Sequence, residues 1–68
     1  EYSVKERKNS IRNIIRNKKR VEFTELFEEY NKSYIAVTFL SVLELAKEHE
    51  LKISQDKNFD NIFIEGAS

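Results

Sequence analysis

Histidine, serine and paired carboxylates are the residues here whose types could do chemistry, and their spacing argues against it. His49 is the single histidine, and there is no cysteine. A lone imidazole between Glu48 and Glu50 cannot anchor a metal, because side chains adjacent in sequence point apart and zinc needs three or four converging ligands. Its place at the end of an expected helix suits the helix dipole instead. Glu28 and Glu29 are neighbours on an expected helix surface, and Asp56 and Asp60 fall in a turn, so both pairs are solvated. None of the six serines has the context of an activated nucleophile. The lone glycine excludes a phosphate-cradling G-x-x-x-x-G-K-[ST] loop. The chain therefore reads as non-enzymatic, with no catalytic residue, metal or cofactor, and its function as binding.

Charge offers one binding surface. The 12 basic and 12 acidic residues cancel in sum but not along the chain. Residues 1–20 carry eight basic groups against Glu1 and Glu6, whereas residues 21–68 carry four against ten acidic groups. The basic first segment, with Lys18, Lys19 and Arg20 at its end, could touch DNA phosphates or an acidic partner. The plainer reading, which is preferred, is a solvated helix face lying near an acidic body.

The elements that must position these residues follow from local signals. Ser3 and Glu6 fit a capping box, and Val4, Ile11, Ile14 and Ile15 recur at helical spacing, predicting a first helix to about Asn17. "KKRVEF" alternates Val21 and Phe23, enough for one short strand. Thr24 is expected to cap a second helix, "ELFEEY", facing Leu26, Phe27 and Tyr30 inward. Asn31 or Ser33 caps a third, from about Tyr34 to His49. "LKISQ" and "IFI" then read as two strands joined by the turn-rich "DKNFDN", with Phe59 plugging the base and Asp60 bonding turn amides. Gly66-Ala67-Ser68 is expected to fray. The order helix, strand, helix, helix, strand, strand is that of an α+β winged helix: a three-helix bundle with a helix-turn-helix and a C-terminal hairpin wing. Residues 1–68 form one domain, and the absence of Met predicts a fragment of a longer chain. With no run near the roughly 18 residues of a membrane span and no signal peptide, a soluble intracellular origin is expected.

The third helix sits where a helix-turn-helix domain keeps its DNA-reading helix, yet from Tyr34 to Ala46 it has no Lys, Arg, Asn or Gln to read a base edge. At about 100° per residue, Ile35, Phe39, Leu40, Val42, Leu43 and Ala46 share a broad face that is expected to be core. Tyr34, Thr38, Ser41 and Leu45 form an opposite seam at i, i+4, i+7, i+11, with Val37 on the same face and Glu44 and Glu48 at its margin, and its hydroxyls and aliphatics suit a flat protein contact. Alternatively, Val37 and Leu45 pack under the first helix or the wing. With Ile62 and Ile64 turned inward, Phe63 points out beside Lys52 and Ser54, inviting a partner, or else covers the first helix. On this reading Leu45→Glu loses binding but folds, and Phe39→Glu unfolds the domain.

"VTFLSVLELAKEHELKISQDKNFDNIFI" (37–64) resembles the C-terminal domain of the bacterial segregation and condensation protein A family, the kleisin subunits of SMC–Scp complexes. Val37-Thr38-Phe39-Leu40, Leu43-Glu44-Leu45, Gln55, Phe59 and Ile62 match the family pattern, and "FTELF" (23–27) resembles its F-x-E-L-F. "FDNI" stands where F-G-D-I is usual, and "AKEHELKI" is more acidic than the common version. The resemblance implies a winged helix that docks on the ATPase head of one SMC subunit. It also implies Scp B bound elsewhere on the longer chain, DNA enclosed indirectly by the ring, ATP bound by the partner, and a place in the bacterial cytoplasm at the nucleoid. Tyr34, Val37, Thr38, Ser41, Leu45 and Phe63 are then the expected head-binding residues. The alternative is a DNA-binding winged helix of a transcription or replication factor, using the first helix with Lys18, Lys19 and Arg20. Charge reversal at those three is expected to leave head affinity nearly unchanged.

Overall fold

In the computed structural model, which describes residues 2–55 and 61–67, Ser3 caps the first helix as expected. Its hydroxyl accepts the Glu6 N–H at 3.3 Å, and helix α1 runs Val4–Lys18. Lys19, at a positive φ of 67°, turns the chain into strand β1, Arg20–Glu22. A single 3-10 turn, Phe23–Leu26, leads to helix α2, Lys32–Lys47, which Asn31 caps by accepting the Tyr34 N–H at 2.8 Å. Strands β2, Leu51–Gln55, and β3, Ile62–Gly66, complete an antiparallel sheet of order β1-β3-β2. Val21 and Ile53 both lie opposite Ile64 in it. Over the described residues the molecule is thus an α+β domain of two α-helices and three strands, with β2 and β3 paired antiparallel as expected of the hairpin.

The expected second helix is corrected to that 3-10 turn, for a reason outside its own residues. A longer α-helix would need the Leu26 carbonyl as an acceptor and the Glu28 amide as a donor. Instead Arg7 Nη2 donates to Leu26 O at 2.8 Å, and the Tyr34 hydroxyl accepts the Glu28 N–H at 3.1 Å. The cap lies two residues before Thr24: Glu22 precedes the turn, and the Glu25 carboxylate accepts the Glu22 N–H at 3.1 Å.

The end of α2 follows a Schellman pattern: the Glu50 N–H reaches Leu45 O at 2.9 Å, and the His49 N–H reaches Ala46 O at 3.0 Å. His49 occupies the left-handed position, φ 64°, where glycine is usual. At the C-terminus, Gly66 does not fray: it belongs to β3, and its N–H donates to Lys19 O at 3.0 Å, while the Ala67 N–H donates to Glu50 O at 3.2 Å. The readings of Phe59 and of the Asp56 and Asp60 turn lie outside the described residues.

The core is built from Ile11 and Ile15 of α1, Val21 of β1, Leu26 of the 3-10 turn, Val42 and Leu45 of α2, Leu51 of β2 and Ile64 of β3. Among the described residues no helix is long and apolar enough to cross a membrane.

Candidate protein-binding face

Helix α2 is apolar on nearly every side, and the fold buries the side opposite to the one expected. Tyr34, Thr38, Ser41 and Leu45 are buried, with Thr38, Ser41 and Leu45 completely so. Of the seam assigned to partner binding, these four are corrected to interior positions; Val37 is half-buried. Of the residues assigned to the core, Val42 is buried and Ala46 packs against the buried cluster, but Phe39 is 47% exposed, Leu40 50% and Leu43 38%.

The short hydroxyl residues explain the inversion. α1 lies directly over them, and small side chains let two helix backbones approach closely. The Thr38 hydroxyl accepts from Arg7 Nε at 3.2 Å. The Ser41 hydroxyl donates to Val37 O at 2.7 Å, one turn back, and lies 3.3 Å from Val4 O of α1. The flat contact read from this seam exists, but its partner is the chain's own first helix.

Arg7 was missed as a structural residue because it was counted with the basic surface. Only 7% exposed, it satisfies Leu26 O and Thr38 and rests its guanidinium 4.7 Å from the Tyr34 ring centroid. The signal was present: positions 4, 7, 11 and 15 fall on one helical stripe, and Arg7 completes it.

The exposed face continues from α2 onto the sheet. Ile53 and Ile62 share the inner side of the sheet with Ile64 but project past the core, 42% and 37% exposed. With Phe23, Phe39, Val42 and Ile64 they line an apolar dimple of about 40 Å³. Edge-to-face rings buttress it from behind, with Phe23 6.0 Å from Phe39 and 5.0 Å from Phe27. This is a contiguous apolar surface of the kind that marks protein interaction, larger than scattered single exposed residues.

Phe63 lies on the other side of the sheet, opposite Ser54 and Glu22. It is outward, as expected, but half-covered: the Arg20 guanidinium sits 3.9 Å above its ring centroid and donates to the Glu65 carboxylate at 3.0 Å. It is therefore not continuous with the α2 face.

The basic segment is largely answered from within. Arg12 holds Glu50 through two hydrogen bonds, 2.7 and 2.9 Å, and Lys8 bridges Glu48 at 2.9 Å and Glu44 at 3.4 Å. The Arg12 hydrogen bond holds the Glu50 carboxyl below its ordinary value, and the bond to Glu48 raises the Lys8 ammonium above its own. Lys18 pairs with Glu25 at 3.2 Å, and Arg20 with Glu65, while Lys19 is exposed. Glu25 is also held low, first by the Glu22 N–H and then by Lys18. Among the described residues no three His, Asp or Glu side chains converge to hold a metal ion.

The profile of the family described as Segregation and condensation protein ScpA matches residues 2–67, nearly the whole sequence. The chain belongs to the ScpA family. Curated relatives named Segregation and condensation protein A bear this out. The one from Bacillus pumilus is 41% identical over 98% of this chain. Those from Listeria welshimeri and Clostridium acetobutylicum are 37% and 35% identical over 97% and 98% of it. In each case the match covers 27% of the relative, so the chain spans about a quarter of the length of these ScpA proteins.

Proposed function

We propose that this chain is the winged-helix domain by which a bacterial kleisin grips the ATPase head of an SMC subunit, acting in chromosome segregation and condensation in the cytoplasm. Counting the 3-10 turn as a reduced second helix, the order of elements supports the winged-helix reading, with α2 in the place of a recognition helix. In the longer chain, Scp B would be held by other segments, and DNA would be enclosed by the assembly and not read by this domain. Membership of the ScpA family supports the biological role.

The observation that carries the binding mode is the exposed apolar face of Phe39, Leu40 and Leu43, continued by Ile53 and Ile62. A helix apolar on all sides belongs in an interior, and here one side is left exposed by the described residues. A protein surface that covers it removes apolar area from water at about 25 cal/mol per Å². The pairing of Lys18 and Arg20 with Glu25 and Glu65 disfavours the DNA-binding alternative.

Calorimetric titration into a purified SMC head domain tests this, with a duplex-DNA salt series alongside. Sub-micromolar head binding, lost in Leu40→Glu and retained when Lys18, Lys19 and Arg20 are reversed, is the expected result. No heat with the head, together with DNA binding that survives about 0.2 M salt, would replace the proposal with a DNA-binding one.

A further inference from the structure

The outward stripe of α2 carries charge only at its two ends, and of one sign. On a wheel of about 100° per residue, Lys32, Ala36, Phe39 and Lys47 lie within about 40° of Leu43, and Leu40 within about 60°. All six residues are exposed. The acids of the helix are turned elsewhere: Glu44 and Glu48 lie about 100° and 140° from Leu43 and are engaged by Lys8 across the α1–α2 contact. Lys32 also opens the helix in a first turn that contains no acidic residue. A cation there opposes the helix dipole, so it works against the stability of the free domain.

We infer that the partner surface docking on this face is an apolar strip bracketed by two carboxylate clusters, which Lys32 and Lys47 meet at either end. The inference rests on the head-binding reading and deepens it by naming the chemistry of the surface on the head. The two cations are 15 residues apart, which sets the clusters roughly 22 Å from one another along the docked helix. Apolar contact along the middle holds the complex, whereas the terminal charges steer encounter and fix which way round the helix lies. A strip of phosphates is not an equivalent partner, because the centre of the stripe offers them only Ala36, Phe39, Leu40 and Leu43.

The test is stopped-flow association of the 68-residue chain with a purified SMC head domain, over a salt series, beside thermal melting of the free chain. Lys32→Glu is expected to melt at a higher temperature than the parent, since it places an acid in the first turn, yet to associate several-fold more slowly at low salt. Lys32→Glu combined with Lys47→Glu is expected to slow association about tenfold, flatten its salt dependence and change dissociation little, whereas Leu40→Glu accelerates dissociation. If the parent binds the head but its association ignores salt, or the lysine variants associate at the parent rate, the inference fails while the head-binding reading stands. If the parent does not bind the head, both fail. A concentration-dependent dimer of the free chain that Leu40→Glu abolishes would assign the face to a second copy and overturn the inference.

Discussion

Thr38 and Ser41 show how much one short side chain can decide. Each lies wholly inside the α1–α2 contact with its hydroxyl satisfied, so the helices approach closely without leaving a buried polar group unpaired. Leu45, next along the same stripe, is fully buried, and Leu45→Ala is expected to cost about 3 kcal/mol in chemical denaturation. Leu40→Ala, on the exposed side, is expected to stay within about 0.5 kcal/mol of the parent. These expectations reverse the ones that a wheel alone supports. Periodicity identifies a helix when apolar residues sit on one side, but α2 has them on both. Choosing the buried side then needs the identity of the opposing element. The clue available in the sequence was the i, i+3 pair of small residues at 38 and 41, which suits close helix packing better than a surface. Arg7 was hidden for a parallel reason: its charge suggested water, while its position on the Val4–Ile11–Ile15 stripe required burial.

At the scale of elements, α1, β1, α2, β2 and β3 were legible because caps and alternation are local signals. The 3-10 turn was not, since the Arg7 and Tyr34 side chains that claim its backbone groups arrive from other elements. The Schellman end of α2 carries its own prediction. His49 at φ 64° adopts a conformation that glycine reaches without steric cost, so His49→Gly is expected to raise stability by up to about 1 kcal/mol in denaturant titration. The ion pairs that α1 makes with the 3-10 turn and with the C-terminal end of α2 and the residues after it make stability depend on pH. The Glu50 and Glu25 carboxyls are depressed in the folded state, so their contribution is fully present above the unfolded value of about 4.3 and is lost as pH falls through their lower folded values. Lys8 is raised, so its contribution is present below the unfolded value of about 10.4 and is lost as pH rises through the folded one. Glu50→Gln should therefore flatten the acid side of a melting-temperature profile and leave the alkaline side, where Lys8 still pairs with Glu48, nearly as steep.

At the scale of the whole molecule, a chain of 68 residues has little apolar surface to spare. This one nonetheless leaves Phe39, Leu40, Leu43, Ile53 and Ile62 in water while pairing Lys8, Arg12 and Arg20 with Glu48, Glu50 and Glu65. That distribution fits a domain whose folding is completed by another protein. The absence of cysteine allows a direct test by single-cysteine labelling. Leu40→Cys and Ser41→Cys variants would be treated with a thiol reagent, alone and with an SMC head domain in excess. The account predicts that the Leu40→Cys thiol reacts quickly when the chain is free and is protected when the head is present, while the Ser41→Cys thiol is slow in both states. Labelling of Ser41→Cys as fast as Leu40→Cys, or Leu40→Cys labelling that a bound head leaves unchanged, would contradict it.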